Sequence, residues 1–513
     1  MASSRRAALA AVPDRGLLAR ARAAWDGGEY GRVAVLLGDV RPTGGDLIPA
    51  LLLHARALLA LGRPAEVPAV LDGAGEVTDP ELESALQMLR GAALTRGPRP
   101  ADGETLLAEA AARSERFPER AAEIAYYRAL SRWAAHDLGA AEALIDAAQP
   151  PPAGVVRSRL EQLRGWIEVR RERYRDAAVR FRGALAALDA SDERDAKGRA
   201  TILHGLSFIA AETVDPDLGE LVRSAYAANP WSDDTRIERF QVLEHLSWLS
   251  LLGGDVERAW DERQLALTIT VDTSYHAIAL IHAAKIAGMV GDRFSERRYL
   301  QLAGALLLRG DQTSLDVERR NALLGFVTAA RAPQAATARD VMTLYDRSAP
   351  RRTAMLAFEG DRRIDALELH ARGRLALIDG ETKDGIAALQ RSLELWSALG
   401  YELRAAIVAH ELLAATGERR YAQRALEALR DAPAAWLRPA LAEPASPLAQ
   451  LTPAERRVLA ELCKGKKARE IADEFGRSFN TINNHTRAIF GAFGVRSRSA
   501  LVAKCAGLGL LER

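Results

Sequence analysis

The sequence predicts an all-α protein, in which a long array of helical hairpins is followed by a small four-helix domain. Three observations support this fold class. Alanine and leucine are abundant and only 6% of the 513 residues are aromatic, which favours helices over the strands of a sandwich or barrel. One helical pattern returns along the first 430 residues. A segment of different charge and pattern then closes the chain.

Composition excludes several classes of protein. Hydrophobic residues at 48% and charged residues at 27% are typical of a soluble globular chain. Two cysteines, Cys463 and Cys505, cannot form a disulfide framework, so we expect a cytoplasmic location. The start of the chain has too short an apolar stretch for a signal peptide, and no run reaches the roughly 18 apolar residues of a membrane span. The most apolar stretch, Ala277–Gly291, carries His282 and Lys285.

The clearest copy of the recurring pattern begins at Leu163 and contains two helices. Small and large side chains occupy the positions at which the two helices would cross, namely Gly165, Tyr174, Ala177, Phe181 and Ala184. A small residue lets two helix backbones approach, and an aromatic ring fills the adjacent groove. The copy resembles the tetratricopeptide (TPR) repeat, and a second copy runs from His370 to Leu393.

Turn signals between paired helices recur at similar spacing. Gly28 and Gly62 are 34 residues apart, and Gly380 and Gly417 are 37 residues apart. Further turns are expected at Gly97-Pro98, Asp137-Leu138-Gly139, Val214-Asp215-Pro216, Gly254-Asp255, Gly291-Asp292 and Ala332-Pro333. The body is therefore predicted to be a TPR-like α-solenoid of about eleven hairpins, each of which needs its neighbours to complete a core.

Such arrays present a concave face through which they bind other molecules. We therefore expect the body, residues 1–431, to bind a protein, a peptide or a small ligand; the alternative is a rigid spacer that forms dimers. Seven of the eight tryptophans fall in this body and Trp436 follows it; we expect most of them to pack between hairpins and a minority to line a groove. Four prolines in residues 432–450 exclude a continuous helix and predict a linker before the last domain, residues 451–513.

The last domain differs from the body in charge. It holds 12 Lys and Arg against 6 Asp and Glu, a net of +6, whereas the preceding residues hold 58 against 62, a net of −4. Four of the seven lysines in the chain lie in this last segment. A basic module on a mildly acidic body is the charge distribution expected for binding to nucleic acid.

Local patterns predict four helices in this domain. Thr452 precedes Pro453 as an N-cap, and Glu455 completes a capping box, so a first helix begins there and ends at Gly465. A second short helix covers 467–475 and Gly476 ends it. Ser478 caps a third helix over 479–493, and a fourth runs over 499–507. Two helices joined by a tight glycine turn, the second with a polar exposed face, constitute a helix-turn-helix.

This segment resembles the C-terminal DNA-binding domain of LuxR/FixJ-type transcription regulators. The matching positions are Leu451, Thr452, Pro453, Glu455, Val458, Leu459, Gly465, Glu470, Ile471, Ala472, Ser478, Thr481, Ile482, His485, Ile489, Phe490, Gly494, Val495, Ser497 and Arg498. Ala454 replaces a usual arginine of the family, Asn483 a frequent lysine, and Ala492-Phe493 a Lys-Leu pair. Loss of the basic groups is expected to weaken backbone contacts or to alter the preferred site.

The third helix carries the candidate base-reading residues. In a helix-turn-helix the second helix enters the major groove, and its early exposed side chains reach the base edges. Asn483, Asn484 and Arg487 lie on the face opposite Ile482 and Ile489. Asparagine can pair with adenine N6 and N7 and arginine with guanine O6 and N7. The resemblance assigns base contacts to the same positions; the alternative is contact with phosphate or solvent.

Other polar side chains are candidates for positioning the DNA backbone, which they would contact without reading sequence. They are Thr452, Lys466, Lys467, Ser478, Thr481 and Arg498. The alternatives are a solvated rim and, for Thr452 and Ser478, helix capping. The resemblance also implies an ion pair between Glu455 and Arg498. We expect His485 to be structural, because it has no neighbouring metal ligands.

The sequence lacks the motifs of nucleotide binding, phosphorylation-dependent receiver domains, metal binding and catalysis. The nearest sequence to a phosphate-binding loop, at Gly465-Lys466-Lys467, lacks the leading glycine and the hydroxyl, so we expect no ATP-binding switch domain, which some large LuxR-type regulators have. No receiver domain, metal-ligand cluster or catalytic constellation is evident, so we predict no enzyme activity, no cofactor and no metal site.

Two hypotheses follow. The favoured one is a DNA-binding transcription regulator whose helical body senses a protein, peptide or small ligand and controls the C-terminal helix-turn-helix. It would bind double-stranded DNA as a homodimer, since LuxR-type domains commonly pair through the final helix, and RNA polymerase is a candidate partner. The alternative is an interaction scaffold whose helix-turn-helix has drifted and no longer binds DNA specifically.

Overall fold

The structure is a computed structural model that describes residues 16–39, 44–97, 99–150, 153–271, 275–290, 292–309, 317–347, 362–428 and 451–507. Within these ranges all regular structure is helical, and no strand occurs. The predicted all-α class is therefore confirmed. The proposed linker, residues 432–450, and Trp436 lie outside the described residues.

The described part of the body contains twenty-two α-helices. They are α1 (Leu17–Asp26), α2 (Tyr30–Asp39), α3 (Leu47–Ala60), α4 (Val67–Leu71), α5 (Pro80–Thr95), α6 (Pro100–Arg113), α7 (Pro118–Ala134), α8 (Leu138–Ala147), α9 (Val155–Arg170), α10 (Tyr174–Asp189), α11 (Ala196–Thr213), α12 (Pro216–Ala228), α13 (Arg236–Gly253), α14 (Val256–Thr270), α15 (His276–Val290), α16 (Arg293–Arg309), α17 (Val317–Ala329), α18 (Ala335–Arg347), α19 (Arg362–Asp379), α20 (Thr382–Ala398), α21 (Glu402–Thr416) and α22 (Arg419–Ala428). Neighbouring helices pack in pairs, for example α5 with α6, α9 with α10 and α19 with α20, which confirms the predicted array of helical hairpins.

The turns within these pairs fall where glycine, proline and acidic residues predict them. Gly28, Gly62, Gly380 and Gly417 all have φ between 71° and 87°, the left-handed region that glycine adopts without strain. Asp137 caps α8 by accepting a hydrogen bond from the Ala140 N–H at 3.0 Å. The chain can therefore reverse sharply, and the second helix of each pair begins at once.

The pairs pack as the TPR resemblance implies. Phe181 on α10 is fully buried between two glycines, Gly165 on α9 and Gly205 on α11. A Cβ added at Gly165 would lie 2.9 Å from the Phe181 ring, and one at Gly205 would lie 2.6 Å from it. Only glycine at both positions leaves room for the ring. Phe181 therefore packs its own hairpin against the next one.

The chain divides into two compact units. The first extends through Ser250 and includes Val256–Ala279; the second comprises Leu251–Asp255 and Leu280–Arg513. Within the first unit, three hydrogen bonds join residues far apart in sequence. They are Ser232 Oγ to Gly28 O at 2.7 Å, Gly31 N to Asp234 Oδ2 at 2.8 Å and Lys197 N to Tyr30 Oη at 2.9 Å. The first hairpin thus contacts the start of α11 and the segment before α13.

The second unit contains a buried cluster of charged groups. Glu411 on α21 lies 3.1 Å from His370 Nε2 and 3.5 Å from an Arg374 guanidinium nitrogen on α19. Burial acts to raise the pKa of Glu411, but Arg374 and His370 outweigh it and lower that pKa to about 2. The cluster therefore links two neighbouring hairpins by charge as well as by apolar packing.

The apolar stretch singled out in the sequence forms most of α15, and it is largely buried against its neighbours. Among the described residues, no helix combines the length and the apolar character that crossing a bilayer requires.

Candidate nucleic-acid interface

The last described segment forms four helices around a core of its own. They are α23 (Pro453–Cys463), α24 (Ala468–Glu474), α25 (Phe479–Ala492) and α26 (Arg498–Gly507). The fully buried side chains are Leu451, Val458, Leu459, Leu462, Ile471, Ala472, Ile482, Ile489, Phe493, Leu501 and Cys505. All four predicted helices are confirmed, with α26 starting one residue earlier than expected.

The start of α23 is fixed by the predicted capping box. The Glu455 N–H donates to Thr452 Oγ1 at 3.3 Å, and the Thr452 N–H and hydroxyl both donate to Glu455 Oε2 at 2.8 Å. Burial acts to raise the pKa of Glu455, but these hydrogen bonds and the His485 imidazole hold it below its usual value. The carboxylate stays ionised and anchors the first turn.

Helices α24 and α25 form the helix-turn-helix. Gly476, with φ at 59°, ends α24 in the left-handed conformation. Two residues later Ser478 caps α25 by accepting a hydrogen bond from the Thr481 N–H at 3.1 Å. Ile471 of α24 and Ile482 of α25 are both fully buried in the shared core. This packing holds α25 with one face inward and leaves its polar face exposed.

The exposed face of α25 includes two of the three predicted base-reading residues. Asn484 and Arg487 are exposed, whereas Asn483 is half-buried at the edge of the face. Among the described residues, neither Asn484 nor Arg487 has a side-chain hydrogen bond or an ion pair. The prediction missed Asn480, which is also exposed and lies one turn before Asn484. The spacing 480, 484, 487 follows one helical face, which is the signal that could have found it.

Three cations near α24, namely Lys466, Lys467 and Arg477, differ in their partners. Lys466 Nζ lies 2.6 Å from Glu461 and 2.5 Å from Glu474, and hydrogen bonds to both carboxylates raise its pKa. Lys467 and Arg477, at the two ends of α24, are exposed and make no ion pair within the part of the chain that the structure describes. Their charges face solvent without compensation. Lys467 is among the residues predicted from the sequence to position the DNA backbone, whereas Arg477 is not.

The expected ion pair between Glu455 and Arg498 is wrong. Glu455 binds Thr452 and lies 3.8 Å from His485 Nδ1, whereas the Arg498 Nε donates to the carbonyl of Leu462 at 3.2 Å. That carbonyl lies near the end of α23, where unpaired helix carbonyls attract a cation. Arg498 therefore stabilises the end of α23, and His485 has the structural partner expected for it.

Residues 449–505 match the family model described as bacterial regulatory proteins of the luxR family, GerE. The match covers the capping box, the turn, α25 and most of α26. The C-terminal segment is a LuxR-type helix-turn-helix domain. The resemblance that the sequence analysis drew from individual positions is thereby confirmed for this LuxR-type domain.

Several solved structures match two thirds or more of the chain at low sequence identity. One is a Rap protein complexed with competence and sporulation factor, 13% identical over 67% of this chain and 100% of that one, with a TM-score of 0.38. The apo form of RapI is 13% identical over 75% and 98%, with a TM-score of 0.41. The Cut9–Hcn1 hetero-tetramer of the APC/C is 14% identical over 95% and 89%, with a TM-score of 0.36. Comparison with curated proteins gives no match.

Both cysteines of the chain lie in the LuxR-type domain, on α23 and α26. Cys505 is fully buried, and burial together with the neighbouring Cys463 raises the pKa of its thiol to about 12. The thiol therefore stays protonated and packs as a small apolar group. No cluster of His, Cys, Asp and Glu suited to a metal ion occurs among the described residues. Neither the LuxR-type domain nor an array of helical hairpins is a class of enzyme.

Proposed function

We propose that the protein is a cytoplasmic, homodimeric transcription regulator whose LuxR-type domain reads the major groove while its helical body senses a second molecule. One observation carries the proposal. The exposed face of α25 presents Asn480, Asn484 and Arg487, which have no side-chain partner among the residues that the structure describes, directly after the turn of a helix-turn-helix. Polar side chains left uncompensated on such a helix are suited to base edges.

The three residue types on this face suit particular bases. Arg487 can donate two hydrogen bonds to guanine O6 and N7, and each asparagine can pair with adenine N6 and N7. A good bidentate pair contributes roughly 1–3 kcal/mol of discrimination against the wrong base. Asn483 is proposed to reach the edge of the groove with a smaller effect, because its side chain is half-buried.

Backbone positioning is proposed for the groups around α24 and at the helix starts. Lys467 and Arg477 make no ion pair within the described ranges, and the hydroxyls of Ser478 and Thr481 stand at the start of α25, where a helix favours a phosphate. Thr452, Lys466 and Arg498 also keep this role in the proposal. Lys466 is expected to contribute less, because Glu461 and Glu474 already hold its ammonium group.

The homodimer is proposed from the family resemblance, in which the final helix forms the dimer contact. Ser499, Ala500 and Lys504 on α26 are exposed and available for such a contact. Two copies would place their α25 helices on half-sites about one DNA turn, roughly 34 Å, apart. A palindromic site with that spacing is the expected target.

The sensing role is proposed for the helical body, because eleven hairpins far exceed what a spacer requires. Binding of a protein, peptide or small ligand there would favour one arrangement of the body and so change the access of the LuxR-type domain to DNA. RNA polymerase as a partner is a prediction from the regulator class.

The proposal is tested on a duplex selected from random sequence with the full-length protein. We expect Arg487→Ala to lose roughly 10-fold or more in affinity for the selected duplex and little for random competitor, since one bidentate pair is removed. Arg496→Ala is the matched control: it removes an equal, exposed charge outside α25. It should weaken binding to both duplexes alike.

Equal loss on both duplexes with Arg487→Ala would contradict base reading by α25. Failure of the full-length protein to select any sequence would instead favour the scaffold hypothesis.

A further inference from the structure

The first unit contains a pocket with a volume of about 410 Å³. That volume lies within the range of roughly 300–1,000 Å³ typical of sites for small molecules. Its walls come from α1 and α2 of the first hairpin, from α3, α7, α9 and α11, and from Arg96 directly after α5. The pocket therefore belongs entirely to this unit.

Aromatic rings are concentrated in this pocket. Three of the eight tryptophans and three of the ten tyrosines of the chain line it: Trp25, Trp133, Trp166, Tyr30, Tyr126 and Tyr127. Rings gathered round a cavity favour a flat apolar ligand, which they can stack against or meet edge-on.

The charged lining favours an anion. Arg56, Arg96, Arg159 and Lys197 line the pocket, against the single carboxylate of Asp195. Three of the four cations are already held by carboxylates: Arg56 by Glu123 at 2.7 Å, Arg159 by Asp195 at 2.9 Å and Lys197 by Glu238 at 2.6 Å. These pairs fix the positions of the three cations.

The fourth cation, Arg96, is not held by a carboxylate. Its guanidinium donates to the carbonyl of Leu59 at 3.1 Å and makes no ion pair within the described part of the chain. The Trp133 indole N–H, also in the lining, is buried and has no hydrogen-bond partner among the described residues. The Arg96 guanidinium keeps further N–H groups besides the one bound to the Leu59 carbonyl, and these donors and the indole N–H suit a carboxylate.

The pocket is preformed by contacts between distant parts of the chain. Tyr30 is 1% exposed and its hydroxyl accepts from the Lys197 N–H, while Ser232 and Gly31 complete the junction. A Cβ added at Gly28, which has a φ of 74°, would lie 2.8 Å from Ala196 Cβ. The walls are thus held before a ligand arrives, which lowers the ordering cost of binding.

We propose that this pocket binds an aromatic carboxylate, that is, an aromatic ring bearing one carboxylate, either as a free small acid or as the last residue of a peptide. The rings hold the aromatic body, and Arg96 binds the carboxylate. The inference deepens the proposed function by giving the sensing body a ligand class and a site, and it rests on that function only for any effect on DNA binding.

The test is calorimetric titration of the full-length protein with two matched pairs of probes. The first pair is indole-3-acetate and neutral indole-3-acetamide; the second is an acetylated tripeptide ending in Trp, as free acid and as amide. At least one acid should bind with a Kd of about 1 mM or tighter, the affinity expected for a ligand of this size. The amides should bind at least about 10-fold more weakly, having lost the charge-assisted hydrogen bonds. Tighter binding by the small acid or by the peptide acid identifies the source of the carboxylate.

Two variants locate the site. Arg96→Ala should weaken binding of the acid about 10-fold or more, whereas Arg90→Ala, which removes an arginine of α5 paired with Asp72 at 3.1 Å outside the pocket, should leave it unchanged. Leu130→Trp, which fills the cavity without changing charge, should abolish binding at an unaltered melting temperature.

Absence of binding by both acids at 1 mM, equal binding of acids and amides, or indifference to both Arg96→Ala and Leu130→Trp would overturn the proposal. A gel shift with the same acid separates this inference from the proposed function. If the acid binds but the affinity for DNA does not change, the pocket ligand is supported and its role in regulating DNA binding is contradicted. If the protein binds DNA sequence-specifically but does not bind the acid, the proposed regulator function is supported and the proposed pocket ligand is contradicted.

Discussion

Arginine and lysine side chains are used differently in the first unit and in the LuxR-type domain. In the pocket of the first unit, Arg56 and Arg159 are held by buried carboxylates, and their positions are fixed by the protein itself. On the LuxR-type domain, Arg487 and Lys467 are exposed and unpaired within the described residues. A polyanion can compensate many exposed charges at once, whereas a single small anion is better served by one uncommitted group in a preformed site.

The largest effect is expected when the apolar packing that holds the first unit together is removed. We expect Phe181→Ala to lower the free energy of unfolding of this unit by about 3–5 kcal/mol, because the ring is fully buried between two glycines that cannot fill the space. Val179→Ala, on the same helix and 64% exposed, is the control and should change it by less than about 0.5 kcal/mol. Chemical denaturation monitored by tryptophan fluorescence measures both. Equal effects would contradict the packing described for Phe181.

A buried charge should respond to acid more than an exposed one. The folded-state pKa of Glu411 is depressed to about 2, so its ionised form contributes stability above the ordinary value near 4.5, which is lost as pH falls toward 2. Glu411→Gln should cost about 3 kcal/mol at neutral pH and flatten the loss of stability between pH 4.5 and 2. Melting curves across that pH range measure it, with the exposed Glu418→Gln as control. If Glu411→Gln left the loss of stability between pH 4.5 and 2 unchanged, protonation of Glu411 would not be its cause.

Substitutions along α25 sharpen the contrast between exposed and half-buried positions. Asn480→Ala should cost roughly 1–3 kcal/mol of discrimination at one base pair, because its amide is exposed on the same face as Asn484 and Arg487. Asn483→Ala should cost less, since its side chain is half-buried. Selection of preferred duplexes with each full-length variant gives both numbers. A larger loss of discrimination for Asn483→Ala than for Asn480→Ala would contradict the orientation described for α25.

The smallest expected effect separates two adjacent lysines. Lys467→Ala should reduce the slope of log affinity against log salt by about one unit, because it removes one uncompensated charge near the phosphates. Lys466→Ala should reduce it less, because Glu461 and Glu474 already neutralise the ammonium group. Titrations at several salt concentrations measure the two slopes. A larger change for Lys466→Ala would assign the phosphate contact to the paired lysine instead.

Local patterns were sufficient to predict most of the fold. Most hairpin turns of the body are marked by glycine, proline or an acidic cap, as at Gly28 and Asp137, so about eleven pairs could be predicted without knowledge of tertiary structure. The capping box of Thr452 and Glu455 likewise depends on residues three apart. Signals of this kind act within one or two helical turns, which is why sequence alone contains them.

Contacts between distant residues were harder to predict. The ion pair of Glu455 with Arg498 was wrong, because His485 and Thr452 compete for the carboxylate and the Leu462 carbonyl attracts the arginine. The pocket was not located, since its lining comes from helices spread over some 175 residues. Asn480, by contrast, could have been predicted from helical periodicity alone.

Methylation protection at guanine N7 tests the central claim most directly. Full-length protein bound to its selected duplex should protect one guanine in each half-site from dimethyl sulfate, since Arg487 occupies N7 in the major groove. Arg487→Ala, at a concentration that restores occupancy, should expose that guanine and leave the rest of the pattern intact. Unchanged protection of the same guanine in the variant, or protection confined to adenine N3 in the minor groove, would contradict the account.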